Sequence, residues 1–174
     1  MSKWLSILSY LISIITTVIL LNSCNTNKLN EDRKVFRYNE YRNVTSLDPA
    51  FAKDLRTIWV TNQLFNGLVQ MDASMEVIPA ISKSWEISED GKSYVFSLRE
   101  DVYFHPHKLF GSDKTRLVNA HDFVYSFDRL KSVQLASPGS WILQNIDSYT
   151  AIDTNHFQIN LKKPFPAIIQ PKPV

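Results

Sequence analysis

The chain has 174 residues, of which 44% are hydrophobic, 12% aromatic and 21% charged, and it carries 19 basic against 17 acidic side chains. A charge balance this even gives no electrostatic case for nucleic acid or an acidic membrane surface as a partner. Ten Phe, seven Tyr and four Trp mark a folding chain and not a disordered one, while the four glycines, at 67, 91, 111 and 139, are too scattered to form a glycine-rich phosphate cradle.

The chain opens with Lys3 followed by an uncharged run from Trp4 to Leu21, which ends in Leu20-Leu21-Asn22-Ser23-Cys24. A basic start, an apolar stretch and a small residue before a cut describe a secretory signal peptide. Leu21 and Ser23, at the third and first positions before Cys24, resemble the bacterial lipoprotein box. That resemblance implies cleavage before Cys24 and acylation of its sulfur and its new amino group. An uncleaved membrane-spanning helix and an ordinary buried thiol compete with this. A leftover cysteine in an exported chain favours lipidation. Residues 1–23 are therefore expected to be a lipoprotein signal peptide. Their removal takes one Lys and no acid, leaving 18 basic and 17 acidic residues. Cys24 is the only cysteine, so no disulfide can form within the chain and a hydrophobic core must hold the domain. The polar residues 24–34 are expected to form a lipidated, flexible tether.

Val35-Phe36-Arg37-Tyr38 reads as a short first strand. Leu47-Asp48-Pro49-Ala50 is a turn, because Pro49 fixes its own φ and pushes Asp48 into an extended conformation. Leu55, Ile58, Trp59, Asn62 and Phe65 recur at helical spacing and fall on one face of a helix that Gly67 would stop. Leu68–Met71 and Glu76–Ile78 predict a hairpin around Asp72-Ala73-Ser74, and Pro79 is expected to open a short helical turn through Ile81. Trp85-Glu86-Ile87 leads into a Ser88–Lys92 turn whose Asp90-Gly91 pair favours positive φ. Tyr94, Phe96 and Leu98 then alternate toward a core.

Val102-Tyr103-Phe104 reads as another short strand, and 105–117 as a polar loop. Asn119 is placed to cap a helix with Asp122 at its third position, a capping box. Phe123, Val124, Phe127 and Leu130 form that helix's apolar stripe. Pro138-Gly139 breaks the chain before a short helix from Trp141. Tyr149–Ile152 and His156–Leu161 pair around Asp153-Thr154-Asn155. Strands and short helices are mixed, so the fold class is α+β.

Six stretches in this order carry a resemblance: SLDPAF at 46–51, NQLFNGLVQMD at 62–72, PAISKSWEISEDGKSYVFSLREDVYFH at 79–105, NAHDFVYSFDRL at 119–130, ASP at 136–138 and HFQINLKKPFPA at 156–167. Together they resemble the family 5 solute-binding proteins of bacterial ABC importers, the dipeptide- and oligopeptide-binding group. The resemblance spans residues 35–167. It implies the N-terminal part of a two-lobed, periplasmic-binding-protein type II-like fold: the start of lobe I and most of its inserted subdomain. Family members are much longer. They usually continue after the Pro164–Ala167 stretch with an aromatic or leucine-rich helix, which Pro171 and Pro173 do not fit. Residues 168–174 are thus expected to be an atypical end, from a truncated or frameshifted reading frame.

The resemblance implies a substrate-binding component that captures peptides or similar solutes outside the cytoplasmic membrane. It would hand them to ABC permease subunits while lipid-anchored to the cell envelope, with no chemistry and no cofactor. In peptide-binding relatives the loop after the LDP turn runs along the peptide backbone; the matching residues are Lys53, Asp54 and Leu55. Relatives also touch ligand just after the ASP stretch, which falls on Gly139, with Ser140 and Trp141 adjacent. Gly139 stands where peptide binders can carry an aromatic; Trp141 could substitute, although a core position suits it better. The charged groups that hold peptide ends lie in the second lobe, so none is assigned. His105, His107 and His121 offer an alternative, a metal- or haem-binding relative or a metal-dependent envelope enzyme, but no Cys or Glu completes a ligand shell. A non-functional fragment is the third reading. No nucleophile elbow is present, and Asn43-Val44-Thr45 matches a glycosylation pattern only incidentally.

Overall fold

A computed structural model describes residues 37–165, together with Trp4 and Ile7, both helical. The rest of the leader, Cys24, the tether and residues 166–174 lie outside the described residues, as do Val35 and Phe36 of the expected first strand; Arg37 and Tyr38 carry no strand pairing. The chain divides into two units, Met1–Asn39 and Glu40–Val174, and everything below concerns the second.

A 3-10 turn over Pro49–Phe51 leads into helix α1, Leu55–Leu64. Strands β1 (Val69–Met71) and β2 (Val77–Pro79) form the expected hairpin, with Met71 opposite Val77. Asp72 closes its loop, one carboxylate oxygen accepting from the Ser74 and Glu76 amides at 2.8 and 2.9 Å. β3 (Ser82–Ile87), β4 (Ser93–Leu98), β5 (Ile146–Ala151) and β6 (His156–Leu161) build an antiparallel sheet in the order β3-β4-β6-β5. The β3–β4 turn uses Gly91 at φ 66°, where any other residue would be strained. Helix α2, Ala120–Lys131, follows a 3-10 segment at Lys108–Asp113.

The register sorts the sheet's faces. Trp85, Phe96, Phe157 and Ala151 lie in one cross-strand row, and Ile87, Tyr94, Ile159 and Tyr149 in the next. These rows form the core face. Phe96 is 3% exposed and Leu98 and Phe157 are fully buried. The opposite face carries Gln158, Asn160, Ser93 and Ser148, joined by side-chain hydrogen bonds of 2.8–3.0 Å. One face dry and one wet is the usual economy of an antiparallel sheet.

Helix α2 covers part of the core face. The ring centroids of Phe123 and Phe127 sit 5.6 and 5.5 Å from that of Phe157, and Phe127 also meets Tyr149 at 5.0 Å. Such tilted aromatic pairs add stabilisation beyond the area they bury. The helix start is the expected capping box: Asn119 accepts from the His121 amide at 3.0 Å, and Asp122 accepts from the Asn119 amide at 2.9 Å.

Several expectations are corrected. Pro79 ends β2 and opens no helical turn. The Ala80 and Ser82 amides both donate to Leu68 O and the Ile81 amide to Gly67 O, so this backbone is committed to pairing. Val102–Phe104 forms no strand, only an isolated bridge between Tyr103 and Leu117. Trp141 is no core residue; it lies in a 3-10 segment, Ser140–Asn145, and is 67% exposed. Along α1 and its C-cap most of the expected apolar face is exposed, with Leu55, Trp59 and Phe65 at 66, 54 and 51%, while Ile58 is half-buried. The buried side is Thr57 and Thr61. Their hydroxyls are satisfied locally, Thr61 Oγ1 donating to Thr57 O at 2.8 Å and Thr57 Oγ1 to Asp54 at 3.2 Å, so their burial leaves no orphaned polar atom.

Candidate functional site

Two distant stretches are tied together beside α2. Asp48 caps the 3-10 turn, accepting from the Ala50 amide at 3.0 Å. The same carboxylate receives both terminal nitrogens of Arg129, near the end of α2, at 3.1 and 2.6 Å. This forked geometry fixes angle as well as distance. The Arg129 hydrogen bond holds the Asp48 carboxyl below its ordinary value of 3.8, against the opposing effect of burial, and the Ala50 amide adds to the lowering. Ser137, 4% exposed, donates to Ala50 O at 2.6 Å and accepts from the Gly139 amide at 3.2 Å. The turn after Leu47 and the stretch from Ala136 are thereby locked edge to edge.

Between them opens a cavity of about 560 Å³ lined by Thr45, Ser46, Phe51, Lys53, Ala136 and Pro138. Ala136 holds φ 46°, a left-handed backbone that a non-glycine residue rarely adopts. Strain of this kind persists only where neighbours enforce it, and the Ser137 anchor next to it supplies that. Among the described residues, Lys53 is the one charged side chain in this lining. The two carboxylates nearest it in sequence are already engaged: Asp48 with Arg129, and Asp54 with the start of α1. Asp54 accepts from the Thr57 amide at 3.2 Å and lies 3.5 Å from Arg56. The Thr57 amide, then its hydroxyl and Arg56, lower the Asp54 pKa.

Of the sequence-derived site residues, Lys53 lines the cavity. Asp54 is a helix cap, and Leu55 is an exposed first residue of α1; neither is in the lining. Gly139 heads the 3-10 segment one residue beyond Pro138. Ser140 faces a different, polar cavity of about 310 Å³ with Lys131, Asp147, Tyr149 and Lys162 among its walls. There burial, aided by a 2.7 Å hydrogen bond to Asp128, pushes the Tyr149 hydroxyl up to about 12, so it stays a donor. Trp141 belongs to neither lining. Residue-level reasoning missed Thr45, Ser46, Phe51, Ala136 and Pro138, although the last four lie inside the SLDPAF and ASP stretches. His105, His107 and His121 form no metal cluster: among the described residues no group of three or more potential ligands comes together. His107 instead accepts from the Leu109 amide at 3.2 Å to cap its 3-10 segment.

The model of bacterial extracellular solute-binding proteins, family 5 (middle part), matches residues 76–173. The dipeptide-binding protein of Escherichia coli K12 is 39% identical over 113 residues, covering 58% of this chain and 21% of its own length. The periplasmic oligopeptide-binding protein OppA of Salmonella typhimurium is 32% identical over 152 residues, covering 78% and 26%. The solved structure of the Escherichia coli murein tripeptide-binding protein MppA superposes with a TM-score of 0.61 at 32% identity, over 71% of this chain and 26% of that one. The chain thus spans about a quarter of the length of these relatives, all of them named as binding proteins and not as enzymes. With more than half of its residues inside the family model, the chain belongs to family 5 of the bacterial extracellular solute-binding proteins.

Proposed function

We propose that this chain forms one wall of the peptide cleft in the substrate-binding component of an ABC importer. The single observation that carries this is the cavity between the Asp48 turn and the Ala136–Pro138 stretch, two segments that the resemblance to peptide binders also points to. Relatives named as dipeptide-, oligopeptide- and murein-peptide-binding support the ligand class. A rigid loop that offers backbone and one cation suits ligands that share a main chain and differ in side chains. Cys24 would carry the lipid that keeps the domain at the outer side of a membrane, beside the permease subunits. In this reading Lys53 contacts the ligand, Asp54 caps the helix behind it and Gly139 follows Pro138 at the turn, while Leu55, Ser140 and Trp141 stand outside this lining.

A pocket normally buries most of its ligand, and closure in two-lobed binders needs a facing surface. A single wall therefore binds weakly. Calorimetry on residues 25–174 with mixed tripeptides is expected to show no measurable heat, while millimolar trialanine shifts the amide signals of Phe51, Lys53 and Ala136. Absence of shifts at those residues would remove the peptide site, and a micromolar dissociation constant would remove the half-site account. Anchoring has its own check: the intact chain in a bacterial envelope gains mass at Cys24, and Cys24→Ser leaves it unmodified with its leader attached.

A further inference from the structure

The side chains around the cavity beside the Asp48 turn offer a positive charge and hydroxyl protons, and no negative charge. Lys53 supplies the charge, and Thr45 and Ser46 the hydroxyls. Ser46 Oγ accepts from the Asp48 amide at 3.0 Å, which leaves its own proton to donate. Phe51, Ala136 and Pro138 complete the lining. The two carboxylates nearest Lys53 in sequence are committed. Asp48 takes both terminal nitrogens of Arg129, and Asp54 takes the Thr57 amide, the Thr57 hydroxyl and Arg56. Among the described residues no carboxylate lies within ion-pair distance of Lys53. The backbone under Lys53 is held from both sides. The Ala52 amide donates to Pro49 O at 3.1 Å and closes the 3-10 turn, and Asp54 caps α1. Lys53 itself is exposed, so its charge is available to whatever enters the cavity.

We propose that Lys53 selects ligands that place a carboxylate in this cavity, with the Thr45 and Ser46 hydroxyls as further donors to it. This rests on the peptide-cleft reading above and narrows its substrate class: among peptides, those bringing an acidic side chain or a free C-terminus to this wall are favoured. An ionised carboxylate only accepts hydrogen bonds, which complements a lining whose polar side chains all have protons to give. A lysine ammonium is a compact point charge with three donors on a flexible stem. It follows a carboxylate over a range of positions, as a site for varied peptides requires, where an arginine fork would demand one geometry. Because the pair stays in contact with water, its effect is a selectivity of a few-fold and not tight binding.

The test titrates the full chain in a zwitterionic detergent and follows the Phe51 and Ala136 amide signals. The probes are Ala-Glu-Ala-amide, Ala-Gln-Ala-amide, trialanine and trialanine amide. A carboxylate-bearing peptide should bind about threefold more tightly than its amide counterpart. A gap between the Glu and Gln peptides identifies a side-chain carboxylate, and a gap between trialanine and its amide identifies the terminal one; either supports the proposal. The gap should shrink in about 0.5 M salt, where exposed charges are screened. Lys53→Met keeps the apolar stem and should close the gap, Lys53→Arg should keep most of it, and Lys108→Met, a cation outside the lining, should leave it intact. Equal constants for all four peptides would overturn the selection by Lys53 while leaving the peptide site standing. So would a gap that survives in Lys53→Met. Signals unmoved by all four peptides would remove the peptide site and this inference with it.

Discussion

Helices α1 and α2 are both amphipathic, and they use that property in opposite ways. α2 lays Phe123 and Phe127 on the sheet and holds the core with aromatic rings. α1 turns Leu55 and Trp59 outward, as its C-cap does Phe65, and buries Thr57 and Thr61. The region around α2 is thus held by dispersion and area removed from water. The region around the Asp48 turn is held by a few polar bonds: Asp48 to Arg129, Ser137 to Ala50, and the threonine hydroxyls to their own helix. The lesson is that a helical stripe of apolar residues says only that one face wants cover. Which face finds it depends on what else the chain brings alongside.

That contrast can be broken or sharpened by substitution. The largest effect belongs to the aromatic region. Phe157 is fully buried and touches both α2 phenylalanines, so Phe157→Ala should cost about 3–5 kcal/mol. For a domain of marginal stability that loss is close to complete unfolding, visible as a urea midpoint near zero. A cost below about 1 kcal/mol would mean that the sheet and α2 are not the cooperative core. Next comes the polar region. Ser137→Ala removes the donor to Ala50 O and leaves that carbonyl in a buried place, for a cost of about 1–3 kcal/mol. Ser137→Ala should also loosen the cavity walls, so the Lys53 and Ala136 amides should lose hydrogen-exchange protection while Phe96 and Phe157 keep theirs. Loss of protection spread evenly over both regions would erase the distinction drawn here.

A smaller effect follows from the ion pair. Asp48 has a lowered pKa in the folded state, chiefly through its hydrogen bond from Arg129. A depressed carboxylate adds stability that is present above its unfolded value near 3.8 and is lost as pH falls through the folded value. Stability should therefore slope down on the acid side, below about pH 4, and Arg129→Gln should flatten that slope. Both side chains are about a third exposed, at 33 and 30%, so solvent screening keeps the effect modest. Acid melts of the two chains that superimpose would show that the pair contributes nothing.

Legibility followed the range of the interactions involved. The Asp90-Gly91 turn, the Asn119–Asp122 capping box, the hairpin closed by Asp72 and the core alternation of Tyr94, Phe96 and Leu98 are all decided within a few residues, and each is where local chemistry puts it. The failures are non-local. Pro79 could have opened a turn, but the following amides donate to Gly67 and Leu68. Tyr103 has only Leu117 as a bridge partner, so no strand grows there. In the cavity, Lys53 was reachable through resemblance. The left-handed backbone of Ala136 was not, because alanine carries no signal for positive φ and the bond beside it, from Ser137 to Ala50, joins residues 87 apart in sequence.

The smallest expected effect is the sharpest test of the α1 contrast. Trp59 is 54% exposed on the outward face of α1. If that face is solvent surface in this chain, Trp59→Ala trades one exposed side chain for another and should change stability by no more than about 0.5 kcal/mol. The substitution also replaces an aromatic by the best helix former, which offsets part of any lost contact. Urea denaturation of Trp59→Ala, set beside Phe127→Ala on α2, reads this directly. Near-zero for the first and several kcal/mol for the second would fix the two helices as opposite solutions to one sequence pattern. A loss above about 1 kcal/mol at Trp59 would mean that α1's apolar face is covered, and that polar bonds are not what chiefly holds the Asp48 region.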